Sequence, residues 1–158
     1  MDEAQFVALI GQHQGIIHKI CRLYRNTKED REDLFQEIVF HTWRSLPAFE
    51  GRAKISSWIY RIALNTAMAT FREKKPAISY MEIVPEQAGE PADPEAEFQS
   101  ARLLAALQKL EPAEKAIITL YLEDLSYQEI GEIIGINENY VGVKLNRIKS
   151  KIQQLLKD

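Results

Sequence analysis

Asn139, Val143, Asn146 and Ser150 step along the chain by four, three and four residues, with Arg147 beside them, so on a helix they share one face. Asparagine and arginine make bidentate hydrogen bonds to base edges, and a valine methyl packs against a thymine methyl. The face therefore carries the chemistry of major-groove reading. Five cations fall in the same stretch, Lys144, Arg147, Lys149, Lys151 and Lys157, with no acid between Lys144 and Lys157, which suits a run that holds phosphates and fixes register. A second constellation is His13, His18 and Cys21, in which His18 and Cys21 are one helical turn apart and a zinc site is geometrically conceivable. It offers only three ligands, and Cys21 lies among apolar residues such as Ile17 and Ile20, so these read as structural histidines and a buried thiol. No nucleophile and base pairing and no glycine-rich phosphate loop is present. The expectation is no catalysis, no metal and no cofactor.

A base-reading face needs a scaffold, and the run from Ser126 to Lys149, SYQEIGEIIGINENYVGVKLNRIK, supplies one. Ser126 followed three residues later by Glu129 is a capping box, in which each side chain satisfies a backbone N–H that a helix start leaves open. Ile130, Ile133 and Ile134 share one side of that first helix, and Gly135 sits where it must stop and reverse, as glycine enters left-handed backbone space without a Cβ penalty. Asn137 caps the second helix, whose buried stripe is Val141, Leu145, Ile148, Ile152 and Leu155. The spacing is that of a helix-turn-helix. Taken by itself, the same pattern also describes a helical hairpin with a solvated basic face.

Upstream, Glu3 to Tyr24, Glu29 to Leu46 and Ile55 to Lys74 read as helices, with apolar residues such as Leu34, Ile38 and Thr42 at helical intervals and no sustained alternation anywhere. The piece from Pro76 to Glu97 holds four prolines and Gly89 without periodicity, and reads as a linker. Beyond it, Phe98 to Leu110 reads as a helix with Leu103, Leu104, Leu107 and Leu110 inside, and Pro112 opens another that runs to about Leu122. The fold class expected is all-α: two small helical domains, 1–75 and 98–158, joined by an acidic linker at 76–97.

The formal charge of -3 argues at first against a nucleic-acid partner, but its distribution matters more. Residues 1–75 carry 12 Lys and Arg against 9 acids, residues 76–97 carry 6 acids and no base, and residues 98–158 are balanced at 8 and 8. From Arg52 to Lys75 the chain holds six cations against Glu73 alone. Two basic patches flank one acidic segment. With no apolar run near the roughly 18 residues of a membrane span, a Met-Asp-Glu-Ala start unlike a signal peptide, and a single cysteine, the expected setting is cytoplasmic without membrane insertion.

The first half also carries Asp30-Arg-Glu-Asp33-Leu34-Phe35-Gln36-Glu37, then Phe49-Glu50-Gly51, then Trp58-Ile59-Tyr60-Arg61-Ile62-Ala63-Leu64-Asn65. With Ser126-Tyr127-Gln128-Glu129-Ile130 in the second half, this resembles the sigma-70 family of bacterial transcription initiation factors, in particular its short extracytoplasmic-function (ECF) group. The resemblance implies a region-2-like half, a linker and a region-4-like half. It implies that Asp30, Asp33, Gln36 and Glu37 dock on the clamp of the RNA polymerase core, whose flap is a further contact. Asp30, Asp33 and Glu37 share a helix face, and carboxylates there meet arginines by charge-assisted hydrogen bonds. It implies that Phe49, Arg52, Lys54, Arg61 and Asn65 capture the melted minus-ten strand, a task that needs a pocket, edge hydrogen bonds and cationic support. Trp58 and Tyr60 read as core and scaffold, since Trp58 is in register with Ile62. The minus-35 duplex would be read by Asn139, Val143, Asn146 and Arg147, with Lys144 and Lys149 on phosphates. The acidic linker would thread toward the active centre or act as a plain spacer, and an anti-sigma factor is an implied partner.

Three positions depart from the family pattern: Gly142 where a cation is frequent, Gly131 for an alanine, both small enough for a close helix crossing, and Glu50 where a basic residue is frequent. The competing reading is an autonomous helix-turn-helix regulator that binds an operator as a homodimer. It leaves the acidic helix and Phe49 to Asn65 without a role.

Overall fold

The computed structural model describes residues 2–52, 54–69 and 93–157. Among them the regular structure is helical: α1 (Glu3–Tyr24), α2 (Lys28–Ser45), a 3-10 turn (Leu46–Ala48), α3 (Ile55–Met68), α4 (Pro94–Gln108), α5 (Pro112–Leu122), α6 (Tyr127–Ile134) and α7 (Glu138–Lys157). The chain divides into two units, Met1–Glu86 and Gln87–Asp158. The division falls inside the expected linker, of which 76–92 lies outside the described residues, and with it most of the proposed acidic strand.

In the first unit the starts of α1 and α2 are dictated locally. Asp2 accepts from the Gln5 N–H at 2.8 Å while its own N–H donates to Gln5 Oε1, and Thr27 Oγ1 accepts from the Asp30 N–H at 3.1 Å. Helices α1, α2 and α3 pack pairwise around Phe6, Ile17, Ile20, Leu34, Phe35, Ile38, Ile59 and Leu64, all essentially buried. Each such side chain contributes about 1.5–3 kcal/mol by leaving water. The ring of Phe6 meets Trp43 at 4.8 Å and His18 stacks on Phe35 at 4.5 Å, so α1 and α2 run antiparallel. Buried Thr42 is satisfied within its own helix, donating to the Ile38 carbonyl at 2.7 Å. Cys21 and His18 both belong to this packing.

Helix α3 was expected to reach Lys74; it ends at Met68, with Ala69 extended at ψ 122°, and 70–74 lies outside the described residues. At that end Arg25, just past the end of α1, donates to the Ala67 carbonyl at 3.1 Å, satisfying one of the oxygens a helix terminus leaves open.

The second unit corrects the sequence reading at its start. Helix α4 begins at Pro94, four residues before Phe98, because Asp93 accepts from the Glu95 N–H at 3.4 Å and Pro94 occupies the first helical position, where its missing N–H costs nothing. Read as a breaker, that proline looked like linker. Within the helix only Ala106 and Leu107 are buried, followed by Leu110 beyond its end, and Leu103, expected inside, is 39% exposed. Helix α5 opens on Glu111 and Pro112, with the Glu111 N–H donating to Glu114 Oε1 at 2.9 Å.

The α6–α7 corner follows the expected chemistry. Ser126 and Glu129 exchange hydrogen bonds at 3.0 and 3.1 Å, Gly135 takes φ 92° and donates to the Gly131 carbonyl at 2.8 Å, and Asn137 Oδ1 accepts from the Tyr140 N–H at 2.8 Å. Gly131 differs from expectation. A Cβ there would stand 2.5 Å from the Ile136 carbonyl oxygen, so alanine and glycine are not equivalent in this chain, and a side chain at 131 would force the turn to shift. Gly131→Ala is therefore expected to destabilise this unit by about 1–3 kcal/mol in urea unfolding; an unchanged midpoint would show that the turn yields freely.

Candidate nucleic-acid interface

Helix α2 buries Leu34, Phe35, Ile38 and Thr42 on one side, which turns its acids outward. Asp33 is exposed, and Asp30, Gln36 and Glu37 are half-buried at the edge of that face. Glu29 and Glu32 are exposed as well and widen the acidic surface beyond the four residues named from the sequence. Further along the same helix, Phe40, Trp43 and Arg44 line a groove with Leu46 and Pro47, which the 3-10 turn brings alongside. Periodicity alone did not reveal the groove, since two of its walls come after the helix has ended.

The 3-10 turn is closed by the Phe49 N–H donating to the Leu46 carbonyl at 3.0 Å, and this delivers the Phe49 ring to Trp58, with centroids 4.9 Å apart. Gly51 follows at φ 74°, a left-handed conformation that favours glycine, and Arg52 Nε lies 3.0 Å from Glu50 Oε2. Lys54 then caps α3 from outside, its carbonyl accepting from the Trp58 N–H at 3.1 Å. At about 100° per residue, Lys54, Trp58, Arg61 and Asn65 fall within a sector of roughly 60°, opposite the buried Ile59, Ala63, Leu64 and Ala67. Lys54, Arg61 and Asn65 are exposed and Trp58 is half-buried. Trp58 thus lies in register with Arg61 and Asn65, away from the core side of α3, and serves as the support for Phe49. Of the two roles expected for Trp58, core and scaffold, the half-buried ring takes the second, its partner Phe49 coming from the loop nine residues earlier in the chain.

On α7, Val141, Leu145 and Ile148 are fully buried, while Ile152 and Leu155 are half-buried where the helix runs toward its end. The opposite face is open: Asn139, Asn146, Arg147 and Ser150 are exposed, and Val143 is 45% exposed. The cations are not equivalent. Lys144 Nζ lies 5.3 Å over the Tyr140 ring, a cation–π distance, at the flank of the open face. Lys149 Nζ donates to Tyr121 Oη at 3.1 Å and lies 4.4 Å from that ring, and the hydrogen bond to Tyr121 raises the lysine pKa above its ordinary value. Lys151 pairs with Glu114 at 3.0 Å; burial pushes that carboxyl up, but the Glu111 N–H and Lys151 outweigh it and hold it below the usual range. Gly142 does not leave a bare surface, since the Tyr127 ring lies 3.4 Å from where its Cβ would be. Arg102 of α4 donates to the Leu156 carbonyl and so caps the end of α7.

The fold and these faces define a class: an all-helical protein of two units, one built on a helix-turn-helix and the other on a three-helix packing that displays a cationic stripe. The family model for Sigma-70 region 2 matches residues 9–76 and that for Sigma-70 region 4 matches residues 100–152. The chain belongs to the sigma-70 family, and the relatives it matches are ECF sigma factors. It is 26% identical over 175 residues to the ECF RNA polymerase sigma factor SigW of Bacillus subtilis, covering 99% of this chain and 91% of the relative. It is 28% identical over 162 residues to SigG of Mycobacterium tuberculosis, covering 84% of this chain but 44% of that longer relative. Among solved structures it shares its fold with CnrH in complex with the cytosolic domain of CnrY, at 21% identity and a TM-score of 0.72 over 99% of this chain and 90% of the other. It shares it also with the sigma factor RpoE bound to the anti-sigma factor NepR from Bartonella quintana, at 18% identity and a TM-score of 0.66 over 97% of each chain.

Because Tyr121 is the group that holds Lys149, Tyr121→Phe is expected to lower the Lys149 pKa toward the ordinary lysine value in an NMR titration of its side chain. A midpoint that stays where it is would assign the shift to something else.

Proposed function

We infer that the protein is a dissociable initiation factor that binds RNA polymerase core and directs it to promoters. The observation that carries this reading is the pairing of two matched sigma regions, in order, with a solvent-facing side on each: the acidic face of α2 with the Lys54, Arg61 and Asn65 stripe in the first, and the open face of α7 in the second. Asp30, Asp33, Gln36 and Glu37 dock on the polymerase clamp, where an exposed carboxylate row suits arginine partners. The groove bounded by Phe40, Trp43 and Arg44 extends that docking side. Phe49, Arg52, Lys54, Arg61 and Asn65 take the melted minus-ten strand, the cations following its phosphates and Asn65 offering both a donor and an acceptor to a base edge.

Helix α7 enters the major groove of the minus-35 duplex, with Asn139, Val143, Asn146 and Arg147 toward the bases. Lys144 contacts phosphate from the flank. Lys149 reaches phosphate by giving up its Tyr121 partner, at the expense of the hydrogen bond. The polymerase makes the RNA and this chain performs no covalent step. An anti-sigma protein is the expected inhibitor, a reading supported by the bound anti-sigma factor in one structure of the same fold. No described helix is long and apolar enough to cross a membrane, which suits action on DNA and polymerase in the cytoplasm.

Replacing Asp33 and Glu37 together by Lys tests the docking face. Both side chains lie off the buried stripe of α2, so the fold is expected to survive, with unchanged helical content and melting, while holoenzyme formation with core polymerase falls by at least about a hundredfold. Full assembly by the folded double variant would remove the acidic face from the account.

A further inference from the structure

The promoter-directing reading leaves Glu50 without a task. Glu50 sits in a loop otherwise suited to a polyanion, and a carboxylate there repels phosphate. Its geometry is defined: Gly51 at φ 74° lets the chain fold back, and Glu50 Oε2 meets Arg52 Nε at 3.0 Å. Both side chains remain open to solvent, at 65% and 88% exposed, so the ion pair adds little to folding. The pairing uses one carboxylate oxygen and one guanidinium N–H. It leaves the other oxygen of Glu50 and the terminal nitrogens of Arg52 available, an acceptor beside donors, in the same loop as the Phe49 ring held by Trp58.

Resting on the minus-ten role given to this loop above, we propose that Glu50 is a specificity-determining residue that selects against thymine at one captured position of the melted strand. An ionised carboxylate only accepts hydrogen bonds. Cytosine, adenine and guanine each carry an exocyclic amine to donate, and each has a neighbouring ring nitrogen or carbonyl for Arg52; carboxylate to the cytosine amine is an established pairing in duplex reading. Thymine has no exocyclic amine. Its one N–H lies between two carbonyl oxygens, whose lone pairs oppose a carboxylate approaching it. The Arg52 partner has a second effect, since it holds the carboxylate in place and offsets its repulsion of the strand.

The test uses holoenzyme on promoters randomised across the minus-ten element, with transcripts sequenced for the wild type, Glu50→Gln and Glu50→Lys. The wild type is expected to underuse thymine at one position by at least about fivefold. Glu50→Gln keeps the shape but adds a donor for carbonyl oxygens, and is expected to erase that depletion at that position alone; Glu50→Lys is expected to turn it into a preference for thymine or guanine. An unchanged base distribution in Glu50→Gln overturns the proposal and leaves the promoter-directing reading standing. A shift spread equally over all positions also overturns it, being the signature of overall charge. A wild type with no minus-ten preference removes the underlying reading as well.

Discussion

Each helix of this protein has one side to bury, and that single constraint fixes where its chemistry can be displayed. In α3, burial of Ile59, Ala63, Leu64 and Ala67 leaves Lys54, Arg61 and Asn65 on the opposite side, whatever their own preferences. In α7, burial of Val141, Leu145 and Ile148 does the same for Asn139, Val143 and Asn146. In α2, Leu34, Phe35 and Ile38 turn Asp33 outward. A register slip of one residue in any of these helices would rotate the functional face by about 100° and bring charges toward the core, where they are costly. Stability and display are therefore one requirement in each helix, met by the same side chains.

Charge is the second organising element. The chain is net acidic, at -3, yet its charges are unevenly spread: α2 carries five acids, and the segment 76–97 carries six with no base. The cations themselves divide by partner. Lys149 and Lys151 are engaged by Tyr121 and Glu114, which fasten α7 to α5, whereas Arg147 stands on the open side of α7. Exposed pairs of this kind add little to stability and weaken with salt. Their larger effect is positional, since they set which part of the basic run is presented to a duplex.

Much of this was legible in the sequence because the signals are local. The Ser126 and Glu129 capping box, Gly135 at positive φ, the Asn137 cap and Pro112 at the start of α5 each act within a few residues, and each helix boundary they mark is found. The α7 stripe follows from 3.6-residue periodicity alone. The failures are of another kind. Pro94 starts a helix instead of ending a linker because Asp93 caps it. The Ala67 carbonyl at the end of α3 is met by Arg25, 42 residues away. Gly131 faces a carbonyl across the turn that would crowd a Cβ, Leu103 is exposed although its spacing matches Leu107, and Trp58 answers to Phe49. Every one of these rests on a contact, or on the absence of a packing partner, that periodicity does not encode. For the candidate site, residue types and faces were readable, but the occupancy of Lys149 by Tyr121 was not.

In the proposed role, two differently built faces act together only on a polymerase. Run-off transcription with purified core enzyme on a library of promoter fragments tests it most directly. The expected result is that addition of the protein produces transcripts from defined start sites, with sequence preference in both the minus-35 and minus-ten elements and none without it. The contradicting result is no transcript dependent on the protein, together with nanomolar binding of the protein alone, as a dimer, to a palindromic duplex.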